Sequence, residues 1–299
     1  MQIRAAEWGF GMNAVELVEV GPRDGLQNEK SLIPTEAKIR LIDSLSEAGF
    51  GLIEATSFVS PKWVPQLGDA AEVMAGITRH PDSDYIVLTP NQRGLAGALA
   101  AEVDEVAVFG AATEGFSQHN INCNVRESLD RFRPVVAEAL AASIRVRGYI
   151  SVVVHCPYEG KVAPEPVLTL AEELLAMGCY EISLGDTTGQ GTKDTICTLL
   201  DLLCAHLPGD KLAGHFHDTN HQAIANVKHA LGYGLRRFDS AISGLGGCPY
   251  APGAKGNVNT LALHDALEQV GWQTGLNRDK LISAEQVVTD MGLNRKDNG

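Results

Sequence analysis

Eight short apolar runs recur along the chain, each followed by a stretch of helical periodicity, and this alternation restricts the possible folds more than any other feature. The runs predict strands at about 15–20, 51–55, 84–88, 104–109, 146–155, 179–184, 211–216 and 237–243. Helical patterns lie between them, the first at about 34–48 and the second near 69–79. Alternation of this kind builds a parallel sheet covered by helices. Eight such units in one run of about 255 residues fit a closed α/β (β/α)8 TIM barrel better than an open doubly wound sheet. The first strand is followed by no GxGxxG fingerprint, which argues the same way.

The 299 residues are read as a single TIM-barrel catalytic domain over 1–299. The more polar stretch 271–299 forms a C-terminal extension, with a short helical pattern near Ala284 to Met291. A net charge of -13 and the lack of a lysine or arginine cluster argue against a nucleic-acid partner. No apolar run approaches the roughly 20 residues of a membrane helix, and the N-terminus lacks a secretory pattern, so a cytoplasmic protein without a membrane partner is expected. The six cysteines show no CxxC pairing, which predicts reduced thiols, with Cys123, Cys156, Cys179, Cys197 and Cys204 as buried packing residues. His119, His155 and His221 read as structural or surface residues.

A barrel of this type carries its reactive groups just after the strands, at the C-terminal mouth. The sequence places them there. Arg23 and Asp24 follow the first strand, Glu54 ends the second, Asp186 follows the sixth, and His215 and His217 end the seventh. On a strand the two-residue spacing puts both imidazoles on one face, and with a carboxylate from another strand they form a candidate divalent-metal site. Hydrogen-bonded mouth histidines and a simple Arg23–Asp24 ion pair are the alternatives, and Glu54 and Asp186 are equally compatible with salt bridges or caps. After the eighth strand comes GLGGCPY, Gly244 to Tyr250, whose glycines and prolines make a shaped loop around Cys248. A thiol held in such a loop is a candidate for proton transfer, or a small apolar residue in a surface turn.

Taken in order, GPRDGLQNEK, IEATSFVSPKWVPQ, VLTPN, NINC, CPYEGK, SLGDT, HFHDT and GLGGCPYAPGAKGN form a highly specific set. From about Val15 to Asn257 the chain resembles the 3-hydroxy-3-methylglutaryl-CoA lyase family, within the metal-dependent lyase and Claisen-condensing barrel superfamily. The resemblance implies that Asp24, His215, His217 and Asn257 bind a divalent metal, Mg2+ or Mn2+. It implies that Arg23 polarises the thioester carbonyl, that Cys248 is needed for catalysis, and that Glu54 and Asp186 support the metal site and proton traffic. Gln27 and Lys30 are implied as substrate or CoA contacts. An acyl-CoA substrate and a homodimer are the implied partners, and cleavage to acetyl-CoA and acetoacetate the implied reaction. Another branched 3-hydroxyacyl-CoA, a condensing reaction in the opposite direction and a catalytically silent barrel scaffold are the competing readings. The chain departs from the family pattern at Asn220 and His221, where Tyr-Gly is usual, at Leu261 in place of Glu, and at His155 in place of Gly.

Overall fold

The computed structural model describes residues 13–247 and 256–293. Among them, eight parallel strands close into a barrel: β1 (Glu16–Glu19), β2 (Leu52–Ser57), β3 (Asp84–Leu88), β4 (Glu105–Ala111), β5 (Arg145–Ser151), β8 (Glu181–Asp186), β9 (Leu212–Phe216) and β10 (Arg237–Ser240). The intervening β6 (His155–Cys156) and β7 (Gly160–Lys161) form a small antiparallel pair outside the barrel. Neighbours follow chain order around the ring, and β10 returns to β1 to close it. The TIM-barrel expectation is met. Strands β2, β8 and β9 are buried at every position, since one face meets the barrel interior and the other the helices.

The helices form the outer layer through one apolar stripe each. On α1 (Thr35–Glu47) the stripe is Leu41, Ile42 and Leu45, and on α5 (Val125–Ala141) it includes Leu129, Phe132, Val135 and Val136. The C-terminal helix α10 (Arg278–Asp290) starts earlier than its apolar pattern predicts. Its beginning is fixed by Asn277, whose side chain accepts from the amides of Asp279 and Lys280. Leu281, Ala284 and Val288 are buried, and Lys280 pairs with Glu47 of α1.

Two strands end sooner than expected. The run 146–155 stops as a barrel strand at Ser151, because Val152 turns into the left-handed region with φ 56° and its amide donates to Thr187 Oγ1. His155 then belongs to the small hairpin. The run 237–243 stops at Ser240, and Ile242 gives its amide to the Glu19 carboxylate rather than to a neighbouring strand. Cys123, Cys156 and Cys179 are buried as predicted, whereas Cys197 and Cys204 are only half-buried: both sit on α7 (Lys193–His206), outside its buried stripe of Ile196, Leu199, Leu200 and Leu203.

Much of the barrel interior is ionic. Glu16 meets Arg237 at 2.6 Å, Arg237 meets Glu181 at 2.6 Å, Glu181 meets Arg147 at 2.8 Å, and Arg147 meets Asp239 at 2.8 Å. These residues come from β1, β10, β8 and β5, so the contacts cross the interior. Arg147 is fully buried. Such a column is tolerable because each charge has an opposite one in contact, which offsets the several kcal/mol that burying a lone ion costs.

Candidate active site

The turn after β1 is built around a fully buried carboxylate. Glu19 Oε1 accepts from the amides of Gly21 (2.8 Å) and Ile242 (2.9 Å), and Oε2 accepts from Thr260 Oγ1 (2.8 Å). Burial pushes its pKa up to about 7, against the lowering effect of those three donors. A side chain at Gly21 would meet Glu19 Oε1 at 2.5 Å, so only glycine lets the chain pass this close. The clip holds Gly21–Gly25, one tight turn of π type with Pro22 at its start, and the turn aims Arg23 and Asp24 into the mouth.

Strand β9 presents His215 inward, and His217 lies just past its end on the same face, as the two-residue spacing predicts. Asp24, His215 and His217 each bring a ligand atom within 4.8 Å of the others. The two Nε2 atoms are 3.2 Å apart, and Asp24 Oδ2 lies 3.9 Å from the first and 3.8 Å from the second. Asn257 joins them because the segment from Gly256 onward pairs back along the end of β9: Val258 donates to the Phe216 carbonyl, and Asn257 bridges His217. Asn257 Nδ2 donates to Asp24 Oδ2 at 2.7 Å, while its buried Oδ1 has no partner among the described residues. That orphaned oxygen beside two converging imidazole nitrogens and a carboxylate makes a set of donors that could hold a hard or borderline divalent ion.

The electrostatics suit a cation. Burial alone would raise the Asp24 pKa, but Arg23 and both imidazoles hold it well below the usual carboxylate range. His217 is pushed down to about 4 by burial and by its neighbour His215, so its ring is neutral at about pH 7, with one nitrogen protonated and the other carrying a lone pair. At His215 burial also works downward, but the hydrogen bond and charge of Asp239 outweigh it and the pKa rises.

Arg23 donates from one nitrogen to Asp24 Oδ1 at 2.8 Å and from another to Glu54 Oε2 at 2.7 Å. Burial works against its charge, and Glu54 and Asp24 more than restore it. Glu54 is fully buried within β2, which runs on to Ser57 rather than ending at the glutamate as expected, and its Oε1 has no hydrogen-bond partner among the described residues. Its direct contact is with Arg23 rather than with the histidines. Tyr149 lies beneath the arginine, with the guanidinium 5.8 Å from the ring centre. Asp186 is also buried, and its carboxylate accepts from the amides of Gln190 and Gly191. Burial raises its pKa to about 6 despite those amides. It therefore shapes the 189–191 loop as well as facing the site.

Of the other expected positions, Gln27 is half-buried and Lys30 exposed on the continuation of the Arg23 turn. Cys248 lies outside the described residues. His221 occupies a left-handed conformation, φ 56°, at the position where the family pattern has glycine, and it is exposed beside Asp218. His155 Nδ1 is 3.4 Å from Thr188 Oγ1. His119 stacks on Tyr158 at 3.9 Å, a surface role as expected. Sequence reasoning missed Glu19, Arg147, Tyr149 and Asp239. A charged residue inside an apolar run was the one available signal.

Residues 14–288 match the HMGL-like family. The mitochondrial hydroxymethylglutaryl-CoA lyase of Bos taurus is 53% identical over 284 residues, covering 95% of this chain and 87% of that protein. The solved structure of the HMG-CoA lyase from Brucella melitensis is similar with a TM-score of 0.93 and 51% identity, covering 94% of this chain and 100% of that one. An HMG-CoA lyase from A. baumannii, solved in complex with coenzyme A and 3-methylmalate, is similar with a TM-score of 0.89 and 37% identity, covering 93% and 91% of the two chains. The barrel, the site at its mouth and these likenesses agree, and the chain belongs to the HMGL-like family.

Proposed function

We propose that this chain is a carbon–carbon lyase that cleaves 3-hydroxy-3-methylglutaryl-CoA to acetyl-CoA and acetoacetate. The observation that carries the reading is the convergence of Asp24, His215, His217 and the orphaned Asn257 Oδ1 next to a buried, permanently charged Arg23. Asp24, His215, His217 and Asn257 hold a divalent ion, Mg2+ or Mn2+, to which their mixed oxygen and nitrogen donors are suited. When bound, the ion supplies Lewis acidity that makes the substrate's tertiary alcohol a stronger acid.

The reaction removes the alcohol proton, breaks the bond between C2 and C3, leaves a ketone on the acetoacetate fragment, and sends the electron pair to the thioester as an enolate. Protonation of the enolate carbon gives acetyl-CoA. Arg23 provides a fixed positive partner for the enolate oxygen, and Glu54 holds the guanidinium in place from below. Asp186 titrates near neutrality and contributes to proton traffic at the mouth. Cys248 is assigned as the proton donor to the enolate carbon or as a relay partner of His215. Gln27 and Lys30, close to Arg23 in the chain, are assigned as substrate or CoA contacts. A homodimer, a cytoplasmic location and one catalytic domain with 271–299 as an extension complete the reading. No helix among the described residues is long and apolar enough to cross a membrane.

The test is turnover of 3-hydroxy-3-methylglutaryl-CoA with Mg2+ or Mn2+, an EDTA control and detection of acetoacetate. Rapid product formation that EDTA abolishes is expected. Metal binding without turnover would refute this substrate and direct attention to other branched 3-hydroxyacyl-CoA thioesters, while turnover unaffected by EDTA would refute the metal.

A further inference from the structure

We infer that Asp239 is a positioning residue for the metal site, fixing the tautomer and orientation of His215 so that its Nε2 lone pair faces the ion. The inference rests on the metal reading above and extends it to a residue inside the barrel. Asp239 lies on β10 directly beside His215 in the ladder with β9. Its Oδ2 is 3.0 Å from His215 Nδ1 and accepts from Ser183 Oγ at 2.7 Å. Its Oδ1 faces the opposite way, 2.8 Å from a nitrogen of Arg147. Both oxygens are thus committed, and Asp239 is a backing group rather than a further ligand.

An ionised carboxylate accepts and does not donate, so the proton in the His215–Asp239 bond sits on Nδ1. A neutral imidazole has one proton, which leaves Nε2 with a lone pair pointing at Asp24 Oδ2 and at His217 Nε2. The carboxylate is kept ionised by the permanently charged Arg147 guanidinium, 2.8 Å from its Oδ1. The carboxylate is itself immobile. Arg147, fully buried, is fixed by Glu181 at 2.8 Å and by the Tyr149 hydroxyl at 2.9 Å, and the Tyr149 ring packs edge-on to His215 at 6.2 Å. His217 offers the contrast: its Nδ1 has no partner among the described residues, so nothing comparable sets its proton. Of the two imidazoles, His215 is the one held ready before the ion arrives.

Two measurements on the full-length protein test this. In 15N NMR of the metal-stripped wild type at alkaline pH, with His215 assigned by comparison with the His215→Gln variant, the neutral ring should carry its proton on Nδ1. In Mn2+ titrations followed by EPR, Asp239→Asn should bind about 10- to 100-fold more weakly than wild type. A wild type that binds Mn2+ while its His215 is protonated on Nε2 would overturn the inference and leave the metal reading intact, as would wild-type Mn2+ affinity in Asp239→Asn. Failure of the wild type to bind Mn2+ would overturn both. The NMR arm needs no altered Asp239, so it decides the question even if that variant does not fold.

Discussion

At the mouth of the barrel, Asp24, His215, His217 and Asn257 crowd together while His217 Nδ1, Asn257 Oδ1 and Glu54 Oε1 are left without partners among the described residues. One layer below, Arg147, Glu181, Asp239 and Arg237 are as deeply placed, but each meets an opposite charge at 2.6 to 2.8 Å. A buried polar atom without a partner costs about 1–3 kcal/mol, and a buried unpaired ion more. The interior offsets the cost of its charges by pairing them, although Glu16 Oε1, Arg147 Nη2 and Asp239 Oδ1 make no hydrogen bond of good geometry. At the mouth, His217 Nδ1 and Asn257 Oδ1 have neither a hydrogen bond nor an opposite charge in contact among the described residues, as expected where a ligand completes the set.

The contrast can be broken most severely at Arg23. Arg23→Met should lower kcat/KM by about 10³-fold, the scale of losing an oxyanion donor, while Mn2+ affinity by EPR changes only a few-fold. A comparable loss of Mn2+ affinity would show that Arg23 belongs to the support and not to the chemistry. In the interior, Arg147→Met leaves Asp239 without an arginine and Glu181 with Arg237 as its one remaining cation among the described residues. A loss of about 3–5 kcal/mol is expected in urea unfolding; a loss under 1 kcal/mol would mean the column is not balanced charge by charge.

Glu19 lies between the two regions and should reveal itself by pH. Its pKa is about 7 in the folded protein against 4.5 for the ordinary group, so the folded state binds the proton more tightly than the unfolded chain. Its contribution is fully present below about pH 4.5 and is lost as pH rises through about 7, an effect on the order of 3 kcal/mol. Glu19→Gln, whose amide still accepts from Gly21 and Ile242 and can donate to a rotated Thr260 hydroxyl, should flatten the decline. Parallel stability curves for the two proteins across that window would refute the assignment. A baseline outside both regions is Glu102, exposed and in the left-handed region at φ 53°. Glu102→Gly should raise stability by less than about 1 kcal/mol in the same unfolding assay, with turnover unchanged.

The strands were legible because a parallel strand between helices and barrel interior has to be apolar almost throughout, and the histidine pair was legible because period two survives at the strand end. The interior column was not. Arg147 in RVRGYIS and Asp239 in RFDS read as ordinary polar interruptions, and their partners lie on other strands, Arg147 34 residues from Glu181. Glu19 in ELVEV looks like a solvent-facing alternation, yet three donors from segments brought together by barrel closure bury it completely. Val152 hid its turn because valine is a strand former, and only the competing bond to Thr187 ends β5 there.

Asp24 follows the first strand of the ring and Asn257 follows the last, and the two are joined by one hydrogen bond across the seam where β10 meets β1. A chain still emerging from the ribosome can form most of its strands and both histidines without having the complete ligand set. On the proposed function, tight capture of a divalent ion requires a closed ring, and any fragment lacking Asp24 or Asn257 should be metal-poor however well its remaining helices form.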